Sequence, residues 1–230
     1  AMALHLIEAF RTAGLAGGGA RFAMVGTAAS YPVEAPLPLQ EESLWQGPPS
    51  AAGASYGLAK LMGLEMLWAY AHQYAMRSAY LVPINIYGPG DHYAPDRSHV
   101  VAALVRRFAE VDDRREPEVV CWGTGTPTRD FPYVDDAAEG IVAGAEQMTE
   151  PTPINLGTGV ETPIRALAEA IAEASGFTGT IRWDTSKPDG APRRVVDIAR
   201  ARERLSWAPR VTLEEGVRRT VERFRAEGRG

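Results

Sequence analysis

The tightest constraint on this chain is a pair of short runs that are apolar at nearly every position, Arg21-Phe-Ala-Met-Val25 and Ser78-Ala-Tyr-Leu-Val-Pro-Ile-Asn85. A strand with one wet face alternates apolar and polar residues. A run without alternation is a strand covered on both faces, as in a parallel sheet under helices. Between the two runs, Ser55 to Tyr74 carries Leu58, Leu61, Met62, Glu65 and Met66 as a helical stripe, and Leu4, Ile7 and Phe10 space a helix over Leu4 to Ala13. The alternation continues with a helix from His99 to Glu110, a strand at Val119 to Trp122 and a helix from Val134 to Met148. The last third adds a helix over Pro163 to Ser175, a strand at Thr180 to Trp183, a short helix over Ile198 to Leu205 and a closing helix over Leu213 to Arg225. Thr212, with Glu215 three residues on, predicts a capping box at the start of that last helix. Helix and strand in repeated succession predict an α/β fold built on a parallel sheet.

The stretch from Tyr31 to Ala54 is rich in proline, serine and glycine and lacks periodic apolar positions, which predicts an irregular surface excursion. A doubly wound nucleotide-binding sheet opens with a strand, a glycine-rich turn and a helix. Here Gly17-Gly18-Gly19 precede their strand, which predicts a plain loop, and the sequence reads as though it began in the middle of a fold. Three strand-helix units of about 30 residues each, roughly 90 residues of a cofactor domain, would then be missing.

Composition narrows the function class. The 230 residues are 45% hydrophobic and 23% charged, far from the composition of disordered chains. With 29 acidic against 24 basic side chains the net charge is -5, which argues against a polyanion-binding surface, so no nucleic-acid partner is expected. No apolar run approaches the about 20 residues that cross a bilayer, and the first residues carry no secretory pattern, so no membrane partner and a cytoplasmic location are expected. The single cysteine, Cys121, excludes an internal disulfide. Only Lys60 and Lys187 among the basic residues are lysines.

Tyr56 and Lys60 stand four residues apart on one predicted helix, the spacing that lets two side chains meet. A cation beside a phenol favours the phenolate, which makes a tyrosine a usable acid or base near neutrality. The bland alternative is a lysine stem lying over a half-buried ring. Thr27 lies at the end of the preceding strand, where a parallel sheet places its ligand crevice.

Thr27, Tyr56-Gly-Leu-Ala-Lys60 and the strand end Pro83-Ile-Asn-Ile-Tyr-Gly-Pro89 together resemble the extended short-chain dehydrogenase/reductases, the NAD-dependent epimerases and dehydratases of nucleotide sugars. Within them, Pro83 to Asp91, Ser98-His-Val100, Trp122-Gly-Thr-Gly-Thr-Pro-Thr-Arg129 with Asp130 to Asp136, and Asp184-Thr-Ser-Lys-Pro-Asp-Gly190 are similar to the GDP-L-fucose synthase branch, over Leu4 to Phe224. The resemblance implies a parallel Rossmann-like sheet, the C-terminal part of a doubly wound fold, over residues 1–90. It implies a smaller α+β nucleotide-sugar domain over 91–230, with segments returning to the sheet. It implies that Tyr56 is the acid/base on the sugar oxygen, that Lys60 holds the nicotinamide ribose and that Thr27 hydrogen-bonds the reacting oxygen. His99 is implied as the acid of epimerisation, and Pro83, Ile86 and His99 as further cofactor contacts. For the substrate it implies Asn85, Val100, Trp122, Arg129 and Lys187, with a guanidinium suited to a diphosphate and an indole offering an apolar wall. Core packing for Trp122, turn capping for Asn85 and a solvated charge for Lys187 are the alternatives. His92 reads as a loop residue, and His5 and His72 as surface or interface residues.

The implied cofactor is NADP(H), with NAD possible, the implied substrate a GDP-4-keto-6-deoxy-hexose or related nucleotide sugar, and the implied assembly a homodimer through the helices at Leu4 to Ala13 and Ser55 to Tyr74. No metal is implied. One position departs from the branch: where its epimerising members have Ser-Ser-Cys, this chain reads Thr27-Ala-Ala29. The methyl group of Ala29 accepts no proton, and Ser30 beside it is an unactivated hydroxyl, so redox chemistry at C4 is better supported than epimerisation at C3 and C5. Other readings are a nucleotide-sugar 4-epimerase or single-carbon epimerase holding NAD, and, in a different class, a non-catalytic nucleotide-sugar-binding protein.

Overall fold

The computed structural model describes residues 2–51, 53–95 and 97–227. In chain order its elements are α1 (Met2–Thr12), β1 (Arg21–Val25), α2 (Ala54–Tyr74), β2 (Arg77–Pro83), α3 (Val100–Arg114), β3 (Glu118–Trp122), β4 (Thr128–Arg129), α4 (Val134–Gln147), β5 (Pro153–Leu156), β6 (Thr162–Pro163), α5 (Ile164–Ala174), β7 (Thr180–Asp184), β8 (Arg193–Arg194), α6 (Ala199–Leu205) and α7 (Leu213–Ala226). They form two compact units: Ala1–Ile84 with Ala137–Gly159 and Val196–Ala208, and Asn85–Asp136 with Val160–Val195 and Pro209–Gly230.

The first unit is a three-stranded sheet in the order β1-β2-β5, parallel throughout. The unbroken apolar run of β2 has its explanation here. Tyr80 and Val82 point into one buried cluster with Leu61, Leu64 and Leu67 of α2, while Ala79 and Leu81 point into another with Ile154, Leu156, Leu205 and Trp207. Successive side chains alternate between faces, and both faces are covered. Glycine sets the approach of the covering helices. Gly144 of α4 lies against Leu81, where a Cβ would sit 2.6 Å from the leucine methyl, and Gly140 one turn earlier lies against Leu156 and Trp207.

The stripe expected on α2 is only partly the buried one. Leu61, Leu64 and Leu67 face the core, whereas Leu58 and Met62 stand in solvent, because α2 is apolar around its circumference and periodicity cannot say which side the sheet takes. The expected surface excursion after Tyr31 is corrected more strongly. Tyr31, Leu39, Glu41 and Leu44 are buried, and Glu41–Trp45 form a 3-10 turn. What draws this segment inward is polar. The Asn155 side-chain amide donates to the carbonyls of Leu39 (2.9 Å) and Asp197 (3.1 Å), its oxygen accepts from the Tyr31 hydroxyl (2.7 Å), and its backbone N–H donates to Glu41 (2.9 Å). A buried amide must find such partners, and here all but Asp197 come from a segment more than 110 residues away.

The second unit holds two small sheets, parallel β3-β7 and the ladder β6-β4-β8, with α3, α5 and α7 around one core. Val101, Leu104, Val105 and Phe108 put the buried stripe on α3. This helix runs to Arg114 rather than Glu110, with His99 as its N-cap residue. At α7, Thr212 accepts from the Glu215 N–H at 3.3 Å, while the Glu215 carboxylate turns to Arg218 and Arg219, so half of the expected capping box forms. Among the described residues no helix is long and apolar enough to cross a membrane.

Candidate active site

In the first unit, β1 ends at Val25 and the chain turns at Gly26 and Thr27 into a short 3-10 turn, Ala28–Ser30. At Gly26 a Cβ would lie 2.6 Å from the Tyr80 ring, so any side chain there requires the ring to shift. Thr27 caps the turn by accepting the Ala29 N–H at 3.2 Å, which leaves its hydroxyl hydrogen available to donate. The Ser30 hydroxyl donates to the carbonyl of Gly57 at 3.0 Å, deep in the interior. It therefore staples the turn to α2 and is not directed to chemistry. Gly57 permits the close approach: a Cβ would fall 2.7 Å from the Ala29 carbonyl oxygen.

This contact seats the first turn of α2 on the end of β1, and with it Tyr56 and Lys60. Tyr56 is 55% exposed. Lys60 is half-buried, donates to the Val25 carbonyl at 2.8 Å and keeps its ammonium 5.6 Å from the centre of the Tyr56 ring. An ammonium has three donors, so the bond to Val25 fixes Lys60 and leaves two for other groups. Tyr80 supports the helix from below, its hydroxyl donating to the Lys60 carbonyl at 3.0 Å; burial pushes that phenol well above its usual range, so it remains a donor. Thr27, Tyr56 and Lys60 are thus gathered where one strand end meets one helix start, and Pro83 ends the adjacent strand β2.

The other sequence-selected residues lie in the second unit. Asn85 has a left-handed backbone (φ 31) and its amide donates to the Asp130 carbonyl at 3.1 Å, so it ties two loops while its residue as a whole stays exposed. Ile86 is half-buried, and His99 and Val100 are exposed at the start of α3. Trp122 ends β3 and is 63% exposed, which removes core packing as its explanation. Two cations flank its ring: the Lys187 ammonium at 5.7 Å and the Arg107 guanidinium at 5.5 Å. Lys187 is itself exposed, with its ammonium over that ring. Arg129 lies in β4 in register with Arg194 of β8, and burial, then the Arg194 charge, hold the Arg129 guanidinium below its usual affinity for a proton. A small sheet that keeps two half-buried guanidinium groups side by side suits an anion.

Arg107 and Arg194 escaped the sequence reading. Each stands in an arginine doublet, Arg106-Arg107 and Arg193-Arg194, and only the tertiary structure separates the members. Arg193 is taken by Glu161, and Arg106 pairs with Glu110 one turn on. His92, His5 and His72 are exposed, and Cys121 is buried with its thiol pushed above the usual range by burial.

Residues 1–157 match the NAD dependent epimerase/dehydratase family. The chain belongs to that family. It is 40% identical over 193 residues to a probable GDP-L-fucose synthase 1 of Oryza sativa subsp. japonica, covering 84% of this chain and 58% of the rice protein. It is 38% identical over 209 residues to the GDP-L-fucose synthase of Escherichia coli (strain K12), covering 87% of this chain and 65% of that protein. The chain thus spans about three-fifths of the length of the curated relatives it matches. Among solved structures it is similar to a GDP-mannoheptose C4 reductase from Campylobacter jejuni with NADP bound. There the TM-score is 0.75 and the identity 26%, covering 89% of this chain and 70% of the other. The α/β class and the parallel sheet expected from the sequence are those of the structure.

In this family a dinucleotide would meet the residues just described, and the structure bears on the fit. Thr27, Tyr56 and Lys60, with two ammonium donors unassigned, fit the nicotinamide-ribose end. Among the described residues Gly17 to Gly19 lie before β1 and not between a strand and a helix, so they do not fit a pyrophosphate cradle.

Proposed function

We propose that the protein is an NADPH-dependent reductase of a GDP-linked 4-keto sugar, of the GDP-L-fucose synthase type, in which reduction at C4 is the chemistry its own residues support. The observation that carries this reading is the placement of Tyr56 and Lys60 on one turn of α2, with the ammonium 5.6 Å from the phenol ring, beside the strand end that bears Thr27. NADPH, when bound, supplies a hydride. Tyr56 is the exposed acid that gives its hydroxyl proton to the C4 oxygen, and Lys60 stabilises the phenolate left behind. The free hydrogen of the Thr27 hydroxyl donates to the same oxygen and orients it. Lys60 also holds the nicotinamide ribose through donors not used by Val25, and Pro83, Ile86 and His99 complete the cofactor contacts.

For the substrate, Arg129 takes the diphosphate, Trp122 and Lys187 the nucleotide end, and Asn85 and Val100 the sugar. Ala29 provides no base where the epimerising members have a cysteine, and the Ser30 hydroxyl is committed to the Gly57 carbonyl. The likeness to a C4 reductase supports reduction as the principal step. Should epimerisation accompany it, His99 is the acid. A homodimer through α1 and α2, which carry Leu4, Leu6, Leu58, Met62 and Trp68 on their exposed surface, belongs to the same proposal.

The test is oxidation of NADPH by the protein on a GDP-4-keto-6-deoxy-hexose, with the Tyr56→Phe variant beside it. The expected loss is about 10²- to 10⁴-fold in kcat, because the general acid is removed while the ring remains. Retention of GDP-sugar without NADPH oxidation would replace the reductase reading by the binding-protein reading.

A further inference from the structure

The two motifs that set the substrate residues, Trp122 to Arg129 and Asp184 to Gly190, leave the same end of the parallel pair β3-β7, where Trp122 and Asp184 are in register. Between them runs one side-chain connection that no catalytic role absorbs. Asp189 receives the Thr124 backbone N–H at 2.7 Å on one oxygen and the Thr124 hydroxyl at 2.8 Å on the other. The Thr124 hydroxyl is also 2.7 Å from that of Thr126. Gly123 makes room for the carboxylate: its φ is +80, and a Cβ there would collide with the Asp189 side chain. The neighbours of Asp189 in its loop then meet the other substrate residues. Lys187 lies over the Trp122 ring at 5.7 Å, and Gly190 abuts the Arg129 guanidinium, where a Cβ would be 3.8 Å from it.

We propose that Asp189 is a positioning residue for nucleotide recognition: its carboxylate latches the 184–190 loop to the 122–129 loop, so that Trp122, Lys187 and Arg129 present one prearranged surface to the nucleoside diphosphate. This deepens the proposed function and rests on it, since Trp122, Lys187 and Arg129 are the nucleotide contacts only in that reading. The loop at 185–190 is exposed, as are Trp122 and Thr126 of the other, and each ordered side chain costs conformational entropy when a ligand must fix it. A latch made before binding removes that cost from the binding step.

The sign of the effect separates this role from a simple charge. Asp189 is an anion beside a site for an anion, and by Coulomb's law alone its removal tightens binding of GDP. A latch predicts the reverse. In calorimetric titration of the whole chain with GDP, Asp189→Ala is expected to weaken binding about tenfold or more. Asp189→Asn, which keeps one acceptor, is expected to lose less, and the thermal midpoint is expected to stay near that of the unchanged protein. Thr124→Val removes the hydroxyl half of the latch and keeps the N–H half, so its effect on GDP affinity is expected to be non-additive with that of Asp189→Ala.

Equal or tighter GDP binding by Asp189→Ala overturns the latch and leaves the nucleotide-sugar reading standing. Absence of GDP binding by the unchanged chain overturns both. If Asp189→Ala does not fold, Thr124→Val decides alone: unchanged GDP affinity in that variant overturns the latch, and a loss of about threefold or more supports it.

Discussion

Glu41 shows how much a single residue depends on its surroundings. It sits in a segment with no core signal in the sequence, yet its carboxyl is buried, accepts the Asn155 N–H at 2.9 Å and lies 3.8 Å from Arg200. Burial, the dominant influence, raises its proton affinity above the usual carboxylate range, against the hydrogen bonds and Arg200 that lower it. A carboxyl with a raised folded-state pKa binds its proton more tightly folded than unfolded. Its contribution to stability is complete below the unfolded value and is lost as pH rises through the folded one. Glu41→Gln keeps an acceptor for Asn155 and carries no charge. Its melting temperature relative to the unchanged protein is expected to climb as pH is raised from about 4.5, the region where an ordinary glutamate ionises. A constant difference from pH 4 to 8 would show that Glu41 binds its proton equally well folded and unfolded. Of the residues in the proposed site, Tyr56, Lys60 and Thr27 were legible because their signal is local: an i, i+4 pair and a strand end. Arg107, Arg194 and Asp189 were not, because each acquires its meaning from a residue on another element.

At the scale of elements, the start of α2 against the turn after β1 is the junction that sets Tyr56. Gly57 approaches the Ala29 carbonyl so closely that a methyl group has no space, and the obstacle is backbone, which cannot rotate away. Two effects oppose each other in Gly57→Ala. Alanine favours a helix over glycine by about 1 kcal/mol, while forcing a methyl into a filled contact costs about 1–3 kcal/mol. With rigid backbone as the obstacle the second effect wins. We expect a net loss of up to about 2 kcal/mol in urea unfolding, together with slower NADPH oxidation on the proposed substrate as Tyr56 moves off its seat. A Gly57→Ala protein as stable as the unchanged one would show that the helix start slides freely. The helices and the strands β1, β2, β3 and β7 could be read from periodicity and apolar runs, since burial on one or both faces leaves its mark at intervals of two or 3.6 residues, whereas β5, which pairs with β2, and the two-residue strands β4, β6 and β8 are too short to carry such a pattern. The 3-10 turn at Glu41–Trp45 could not, because its inward pull comes from hydrogen bonds to Asn155.

For the whole molecule, α1 and α2 together leave more large apolar side chains in solvent than core packing accounts for, Leu58 at 52% and Met62 at 63% exposure among them. Single exposed leucines are ordinary, and a run of them on two adjoining helices is the surface on which the proposed homodimer rests. Sedimentation velocity at micromolar concentration is expected to give a dimer, and Leu58→Glu combined with Met62→Glu a folded monomer, since two carboxylates have no partner in an apolar seam. A monomer before any substitution would refute the assembly. The double variant bears on nothing in the core, because Leu61, Leu64 and Leu67 on the opposite side of α2 hold the sheet.

The sequence by itself determined that this chain makes a parallel sheet under helices and that a phenol and an ammonium share one helix turn. Each of these is a property of residues within a few positions of one another, where covalent geometry alone sets the spacing. The tertiary structure decided which side of α2 is core, that Arg193 pairs with Glu161 and Arg106 with Glu110, and that Asp189 binds Thr124 across 65 residues. Such contacts exist only after loops have closed and neighbouring groups have left water, and neither event is written in local spacing.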